Sequence, residues 1–311
     1  MASQSRPSVF IDGEAGTTGL QIRERLAQLS AVDVRSIDAS KRKDADARKA
    51  LMASVDLVVL CLPDDAAKEA VALAKSLGSK APKIVDASSA HRVAPGWVYG
   101  FAELTAGQAN AIKIAHHVTN PGCYPTGAIA LLRPLVDAGL IAADMPLTIN
   151  AVSGYSGGGK SMIEAYEAGS APLFEVYGLG LEHKHIPELV AYAGLKHRPI
   201  FVPSVGNFRQ GMLVSIPLHL DTLAGQPSLG NLEAALEKYY AGSPLVRVVK
   251  GAAKDLGGRI AGETLAGSDM LELYVFGKPE LKQAVLVARL DNLGKGAAGA
   301  AVQNIKLMLG L

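Results

Sequence analysis

Short apolar runs alternate with amphipathic ones through the first third of the chain. Ser8-Val-Phe-Ile-Asp12 is an unbroken apolar run ending in a carboxylate, as a buried strand requires. Gly13, Gly16 and Gly19 follow, and then Leu20, Ile22, Leu26 and Leu29 recur at helical spacing. Further strands are predicted at Val32–Ile37, Asp56–Leu62 and Lys83–Asp86, with helices around residues 43–53 and 65–77 between them. Alternation of this kind predicts an α/β fold with a Rossmann-type, doubly wound parallel sheet. From Met145 the runs lengthen. Leu147–Val152, Pro199–Val202, Met212–Leu220 and Met270–Phe276 read as strands with few helices between them, the texture of a second, α+β domain. Asp291–Leu309 reads as one glycine-opened, Ala-rich helix.

Composition agrees with two domains. The 311 residues exceed the ~250 that one core usually serves, and 49% hydrophobic against 19% charged residues excludes disorder as the main theme. With 31 Lys+Arg against 29 Asp+Glu, the chain has no basic face for nucleic acid. No apolar stretch approaches the ~18 residues of a membrane span, and Met1–Pro7 lacks a signal-peptide core, so a cytoplasmic protein is expected. Two cysteines, Cys61 and Cys123, exclude a disulfide framework and leave room for a catalytic thiol.

Several constellations carry chemistry. Gly13-x-x-Gly16-x-x-Gly19, placed between the first strand and a helix, suits either a dinucleotide pyrophosphate or a plain tight turn, and Thr17 and Thr18 add hydroxyl donors for phosphate. Beyond the second strand, Asp38 would favour NAD, whereas Ser40-Lys41-Arg42-Lys43 favours the 2′-phosphate of NADP, the expected cofactor. Ser88 and Ser89 follow the strand ending at Asp86, at the carboxyl ends of the strands where cofactors bind in such folds, or in an ordinary loop. Asn120-Pro-Gly-Cys123-Tyr-Pro125-Thr126 puts Cys123 at a helix start, where the dipole stabilises a thiolate and a nearby oxyanion, whereas Cys61 lies in an apolar strand and reads as inert. His183 and His185, in Glu182-His-Lys-His-Ile-Pro-Glu188, offer a general base or merely surface imidazoles; the spacing lacks the ligands of a metal site, and none is expected. Gly154-x-x-x-x-Gly159-Lys160-Ser161 satisfies the phosphate-loop pattern of nucleotide hydrolases, although no later apolar run ends in an Asp placed to hold magnesium.

Taken together, the glycine turn, the Cys123 motif, Ser153-Gly-Tyr-Ser-Gly-Gly-Gly-Lys160, His183-Lys-His185-Ile-Pro-Glu188 and Asp291-Asn-Leu-Gly-Lys-Gly296 through Asn304 resemble the N-acetyl-γ-glutamyl-phosphate reductase family, in its shorter form, over nearly the whole chain. The resemblance implies an NADPH-dependent acyl-phosphate reductase of arginine biosynthesis working through a cysteine thioester. It implies Cys123 as nucleophile, His185 as acid/base, His183 as substrate contact or orienter, and Ser153, Gly154 and Ser156 beside the acyl phosphate. Arg209 becomes a candidate for the substrate carboxylate. The last helix is implied to return to the first domain, with Asn292 and Gly296 near the nicotinamide. The expected domains are therefore 1–122 with 291–311, binding NADP, and 123–290, carrying catalysis and oligomerisation as a homodimer or homotetramer. An aspartate-semialdehyde dehydrogenase-like reductase and a phosphate-loop hydrolase or kinase are the alternatives.

Overall fold

The structure, a computed structural model, describes residues 6–251 and 256–311. It forms two compact units, Met1–Pro121 with Ala297–Leu311, and Gly122–Gly296.

The first unit runs β1 (Ser8–Asp12), α1 (Thr17–Ala27), β2 (Asp33–Arg35), α2 (Ala45–Met52), β3 (Leu57–Leu60), α3 (Asp64–Lys75), β4 (Lys83–Asp86), β5 (Val98–Tyr99), α4 (Gln108–Ile114) and β6 (His117–Thr119). Its strands form one sheet in the order β2-β1-β3-β4-β6-β5, parallel at every pairing. Side chains alternate across a strand, so each strand feeds two cores. Val9, Ile11, Leu57, Val59, Val85 and Val118 face a cluster with Ile22 and Leu26 of α1, whereas Phe10, Val58, Leu60 and Ile84 face Met52, Ala67, Ala70 and Val71 of α2 and α3. Helices therefore cover both faces, as the apolar runs predict. The strand order reverses between β1 and β3, and the crevice outside the carboxyl ends of such strands is where ligands bind in this class of sheet.

The second unit runs α5 (Cys123–Asp137), β7 (Thr148–Gly154), α6 (Lys160–Glu167), β8 (Phe174–Val176), α7 (Ile186–Ala193), β9 (Ile200–Gly206), β10 (Met212–His219), α8 (Leu229–Tyr239), β11 (Val246–Val248), β12 (Leu271–Lys278) and β13 (Gln283–Leu290). These strands make a mixed sheet, β11-β12-β13-β10-β7-β9-β8. The helix α5 is buried along most of its length. Gly127 permits this, because a methyl there would lie 2.9 Å from a Val214 methyl and 3.2 Å from Ala288. More helix appears here than the sequence reading allows: α8, for example, is set off by a capping box between Ser228 and Asn231.

The C-terminal stretch is not one helix. A π-type turn, Gly294–Ala298, precedes α9 (Gly299–Leu309). Residues 291–296, expected in the first domain, belong to the second unit, because Asp291 accepts hydrogen bonds from Gly267 N (2.7 Å) and Gln210 Nε2, and Asn292 Oδ1 accepts from Gly211 N (2.8 Å). The helix α9 does join the first unit: Ala301, Val302, Ile305 and Met308 enter the Val9–Ile22 cluster, and Asn304 Nδ2 donates to Gly100 O (2.9 Å) and Asn120 Oδ1 (3.1 Å).

Candidate active site

In the first unit the glycine turn has the shape a pyrophosphate needs. Gly13 has φ +90°, and a Cβ on it would lie 2.3 Å from Cys61 O; a Cβ on Gly19 would lie 2.5 Å from Gly13 O. Only glycine fits at either position. Gly16 is the N-cap of α1 and supplies no side-chain cap, so the helix start, with the partly exposed Thr17 and Thr18, presents backbone N–H groups to an anion. The residues present therefore fit a dinucleotide.

Two other expected cofactor contacts are committed elsewhere. Asp38 caps a short turn, accepting from Ser40 N (2.8 Å) and Ser40 Oγ (2.6 Å). Those bonds, with Lys41 and Arg42 nearby, hold its carboxyl below the usual range. Ser40 thus donates its hydroxyl hydrogen bond to Asp38, and Lys41 stands exposed. Ser88 is buried, donating from N (2.9 Å) and Oγ (2.8 Å) to the fully buried Asp86, which also meets His91 Nδ1 at 2.5 Å.

In the second unit Cys123 is the first residue of α5, a helix of 15 residues. The N-cap, Gly122, is extended (φ −72°, ψ 151°) and donates its N–H to Glu188 Oε2 at 3.0 Å. Glu188 is 1% exposed and sits in the first turn of α7, where a carboxylate is favoured by the helix dipole. It was legible only as the end of the histidine motif, and its tie to the cysteine turn joins residues 66 positions apart. Gly296 abuts the cysteine; a methyl there would lie 3.0 Å from Cys123 Cβ.

Tyr124 connects the cysteine turn to the histidines. Its OH donates to Ser204 O (3.0 Å) and accepts from Tyr177 OH (3.1 Å). Burial pushes both phenols up, Tyr177 to about 12 and Tyr124 further, so both are neutral at physiological pH and act as packing and donor groups. The rings of His183 and His185 lie 6.1 and 5.9 Å from the Tyr124 ring and 4.6 Å from each other. His185 is 6% exposed and forms the N-cap of α7. Its backbone N–H donates to His183 Nδ1 at 3.1 Å. An acceptor Nδ1 places the proton of neutral His183 on Nε2, which makes that imidazole an N–H donor.

The loop after β7 is braced from behind. Gly154 N, Tyr155 N and Ser156 N donate to Gly211 O (2.9 Å), Phe208 O (2.9 Å) and Arg209 O (3.1 Å). A phosphate loop needs such N–H groups for its phosphates, and Lys160, 80% exposed and 3.7 Å from Glu164, does not turn into the loop. The hydrolase pattern at Gly154–Ser161 is thus a coincidence of letters. Ser153 and Ser156 are nevertheless buried beside Gly157, where a Cβ would lie 3.0 Å from Ser153 Oγ. Asn292 Nδ2 donates to Ser156 Oγ (2.9 Å), so its amide holds this loop. The Arg209 guanidinium is 61% exposed and paired with Glu167. Lys295, which the sequence reading passed over, is 1% exposed beside Gly296.

The two thiols differ in kind. Burial, then the Asp86 and Asp12 carboxylates, push the Cys61 thiol up to about 12. At pH 8 its thiolate fraction is then about 10⁻⁴, and the thiolate is the nucleophile. Iodoacetamide at pH 8 is expected to alkylate Cys123 and spare Cys61 in the folded protein. Peptide mapping checks this, and comparable labelling of both would refute it.

Comparison with known proteins places these features in context. A family model described as semialdehyde dehydrogenase, NAD binding domain, matches residues 8–112, and one described as semialdehyde dehydrogenase, dimerisation domain, matches residues 123–292. An N-acetyl-gamma-glutamyl-phosphate reductase of Brucella suis is 53% identical over 98% of this chain and 99% of its own length. Among solved structures, aspartate semialdehyde dehydrogenase II of Vibrio cholerae, complexed with ASA, superposes with a TM-score of 0.73 at 16% identity, over 99% of both chains. Aspartate semialdehyde dehydrogenase of Candida albicans, solved with NADP, gives a TM-score of 0.67 at 14% identity, over 98% of both chains. At these identities the structural matches speak for the fold.

Proposed function

The chain belongs to the N-acetyl-γ-glutamyl-phosphate reductases of the semialdehyde dehydrogenase family, and from that premise we propose how its residues divide the work. It is an NADP-dependent oxidoreductase of arginine biosynthesis, reducing N-acetyl-L-glutamyl 5-phosphate to the 5-semialdehyde with release of phosphate. The observation that carries the residue assignment is Cys123 at the open start of α5, with the two imidazoles packed on the neighbouring Tyr124 ring.

Cys123 Sγ, as thiolate, attacks the acyl carbonyl, and the C–O bond to phosphate breaks with its electron pair leaving on phosphate. A thioester remains. The positive end of α5, with the Tyr124 N–H in its first turn, stabilises the thiolate and the oxyanion, and His183 Nε2–H is a second donor. Ser153 and Ser156, set in the loop that Asn292 holds, receive the phosphate. NADPH, which Gly13, Gly16 and Gly19 with Thr17 and Thr18 would hold, would supply the hydride for the thioester carbonyl. The thiohemiacetal then collapses: its C–S bond breaks, the thiolate returns, and His185 manages the hydroxyl proton. Glu188 fixes the cysteine turn through Gly122 N. On the cofactor side, Gly13, Gly16 and Gly19 with Thr17 and Thr18 hold the pyrophosphate.

This reading also makes the protein a cytoplasmic homodimer or homotetramer associating through the second unit. The match to a dimerisation domain supports that surface, as do the exposed Leu173, Phe174 and Val176 around β8. The test runs the reaction backwards, with N-acetylglutamate semialdehyde, phosphate and NADP⁺. Phosphate-dependent growth of nicotinamide absorbance is expected. No reduction here, but reduction with aspartate semialdehyde, would move the substrate assignment to the free amino acid.

A further inference from the structure

The arc of chain that carries His183 contains a residue in a backbone conformation it does not favour. Leu181 has φ +59°, in the left-handed region, which a leucine side chain opposes and which persists only where neighbours impose it. The arc runs from Tyr177 to His183. Its first end is tied, since Tyr177 N donates to Pro203 O (3.1 Å) and the Tyr177 hydroxyl to Tyr124 OH (3.1 Å). Gly178, with φ +65°, then turns the chain back so closely that a Cβ on it would lie 3.8 Å from His183 Cδ2. Leu181 N closes the turn on Gly178 O (2.9 Å).

Arg198 holds the other end. Its Nη1 and Nη2 each donate to one carboxylate oxygen of Glu182, both at 3.1 Å, and Nη2 also donates to Leu181 O. The hydrogen bonds and the charge of Arg198 hold the Glu182 carboxyl below the usual range, so the clasp is closed at neutral pH. The arginine itself stands on a firm base. Lys196 N donates to Ala143 O (2.7 Å), Ile200 N donates to Leu147 O (2.9 Å), and the buried Pro199 restricts Arg198 to extended backbone. The residue after Glu182 is His183, whose ring packs 5.2 Å from that of Phe201 and 5.9 Å from that of Tyr177. Its Nδ1 is spent on His185 N, so the direction of its Nε2–H follows from where the arc places the ring.

Exposure separates folding from positioning. The side chains of Arg198 and Glu182 are 47% and 82% exposed, and an ion pair so open to water adds little to stability. Its bond to the Leu181 carbonyl gives it a local task. Without that bond Leu181 is released from the left-handed region, and Glu182 and His183 shift with it.

We propose that Arg198 is a positioning residue for the reaction: by clasping Glu182 and the Leu181 carbonyl it fixes the imidazole of His183, and so the N–H that His183 presents to the substrate. The inference rests on the reductase reading and adds to it a residue that lies outside every motif of the sequence. Arg198 acts only through His183.

Steady-state kinetics of the reverse reaction, with N-acetylglutamate semialdehyde, phosphate and NADP⁺, test this. Arg198→Ala should lower kcat/KM for the semialdehyde by about tenfold, leave the KM for NADP⁺ within about twofold, and hardly move the thermal unfolding midpoint. Arg198→Lys should recover only part of the loss, because an ammonium keeps the charge without the planar fork. The deciding comparison is the double variant: in a His183→Gln background, Arg198→Ala should cost less than about a further twofold, since the group it positions is already gone. An Arg198→Ala enzyme within about twofold of wild type, losses that multiply in the double variant, or a loss confined to the KM for NADP⁺ would overturn the assignment while leaving the reductase reading intact. A wild type that gives no phosphate-dependent reduction would overturn the reductase reading and this inference with it.

Discussion

Replacing Cys123 by serine is expected to lower phosphate-dependent reduction of NADP⁺ by at least about 10⁴-fold, with NADP⁺ affinity changed by less than about twofold. Cys123 occupies the first position of α5, where the N-terminal N–H groups lack intrahelical partners and the dipole favours an anion. That environment stabilises a thiolate; a serine hydroxyl, far less acidic, stays protonated there and attacks poorly. Serine is also well tolerated at a helix start and is smaller than cysteine, so the close approach of Gly296 to Cys123 Cβ is not disturbed. Folding and the glycine turn of the other unit should be unaffected, and the loss should fall on kcat. Turnover by the serine variant above about a hundredth of wild type would remove Cys123 from the role of nucleophile.

The second large effect is expected at His185, where His185→Gln should reduce turnover by about 10²–10⁴. Glutamine can pack against Tyr124 much as the imidazole does, but it cannot exchange a proton near neutrality. His183→Gln should cost less, because the Nδ1 of His183 accepts the His185 N–H and its contribution is an N–H donor that an amide partly replaces. The pH profile of kcat separates proton transfer from packing. In the His185 variant the limb belonging to imidazole titration should vanish; a variant slowed yet retaining that limb would show that His185 only shapes the pocket. A His183 variant more impaired than the His185 variant, with the limb lost, would exchange the two roles.

The parts of the molecule visible in the sequence are those fixed by local rules. Continuous apolar runs gave β1 and β4 at their observed limits, since strands buried on both faces leave no polar alternation to blur their ends. The positions of Gly13 and Gly19 were legible because close backbone contacts there admit no side chain. Cys123 stood out because Gly122 and Pro125 bracket a helix start. The rest depends on contacts between distant residues. No spacing rule says that Glu188 binds Gly122 N, that Asn292 holds Ser156, or that Glu14 gathers Arg23 and Arg42. Ser40 and Ser88 illustrate the converse: both sit where a cofactor contact is expected, and both donate a hydroxyl hydrogen bond to an aspartate two residues away. The strands β8 and β11 have three residues each, too few for a period to show, and their place in the sheet comes from pairing with β9 and β12. The run Asp291–Leu309 looked like one helix because Ala and Gly dominate it, while the hydrogen bonds of Asp291 and Asn292 that anchor its start are tertiary.

The most direct test of the central claim is to catch the acyl group on the enzyme. The wild-type protein would be mixed with N-acetylglutamyl phosphate in the absence of NADPH, quenched in acid to preserve thioesters, digested and mapped by mass spectrometry. An N-acetylglutamyl group is expected on the peptide containing Cys123, released as semialdehyde when NADPH is added before the quench. An unmodified Cys123 under conditions where the enzyme turns over, or an acyl group carried on another residue, would contradict it.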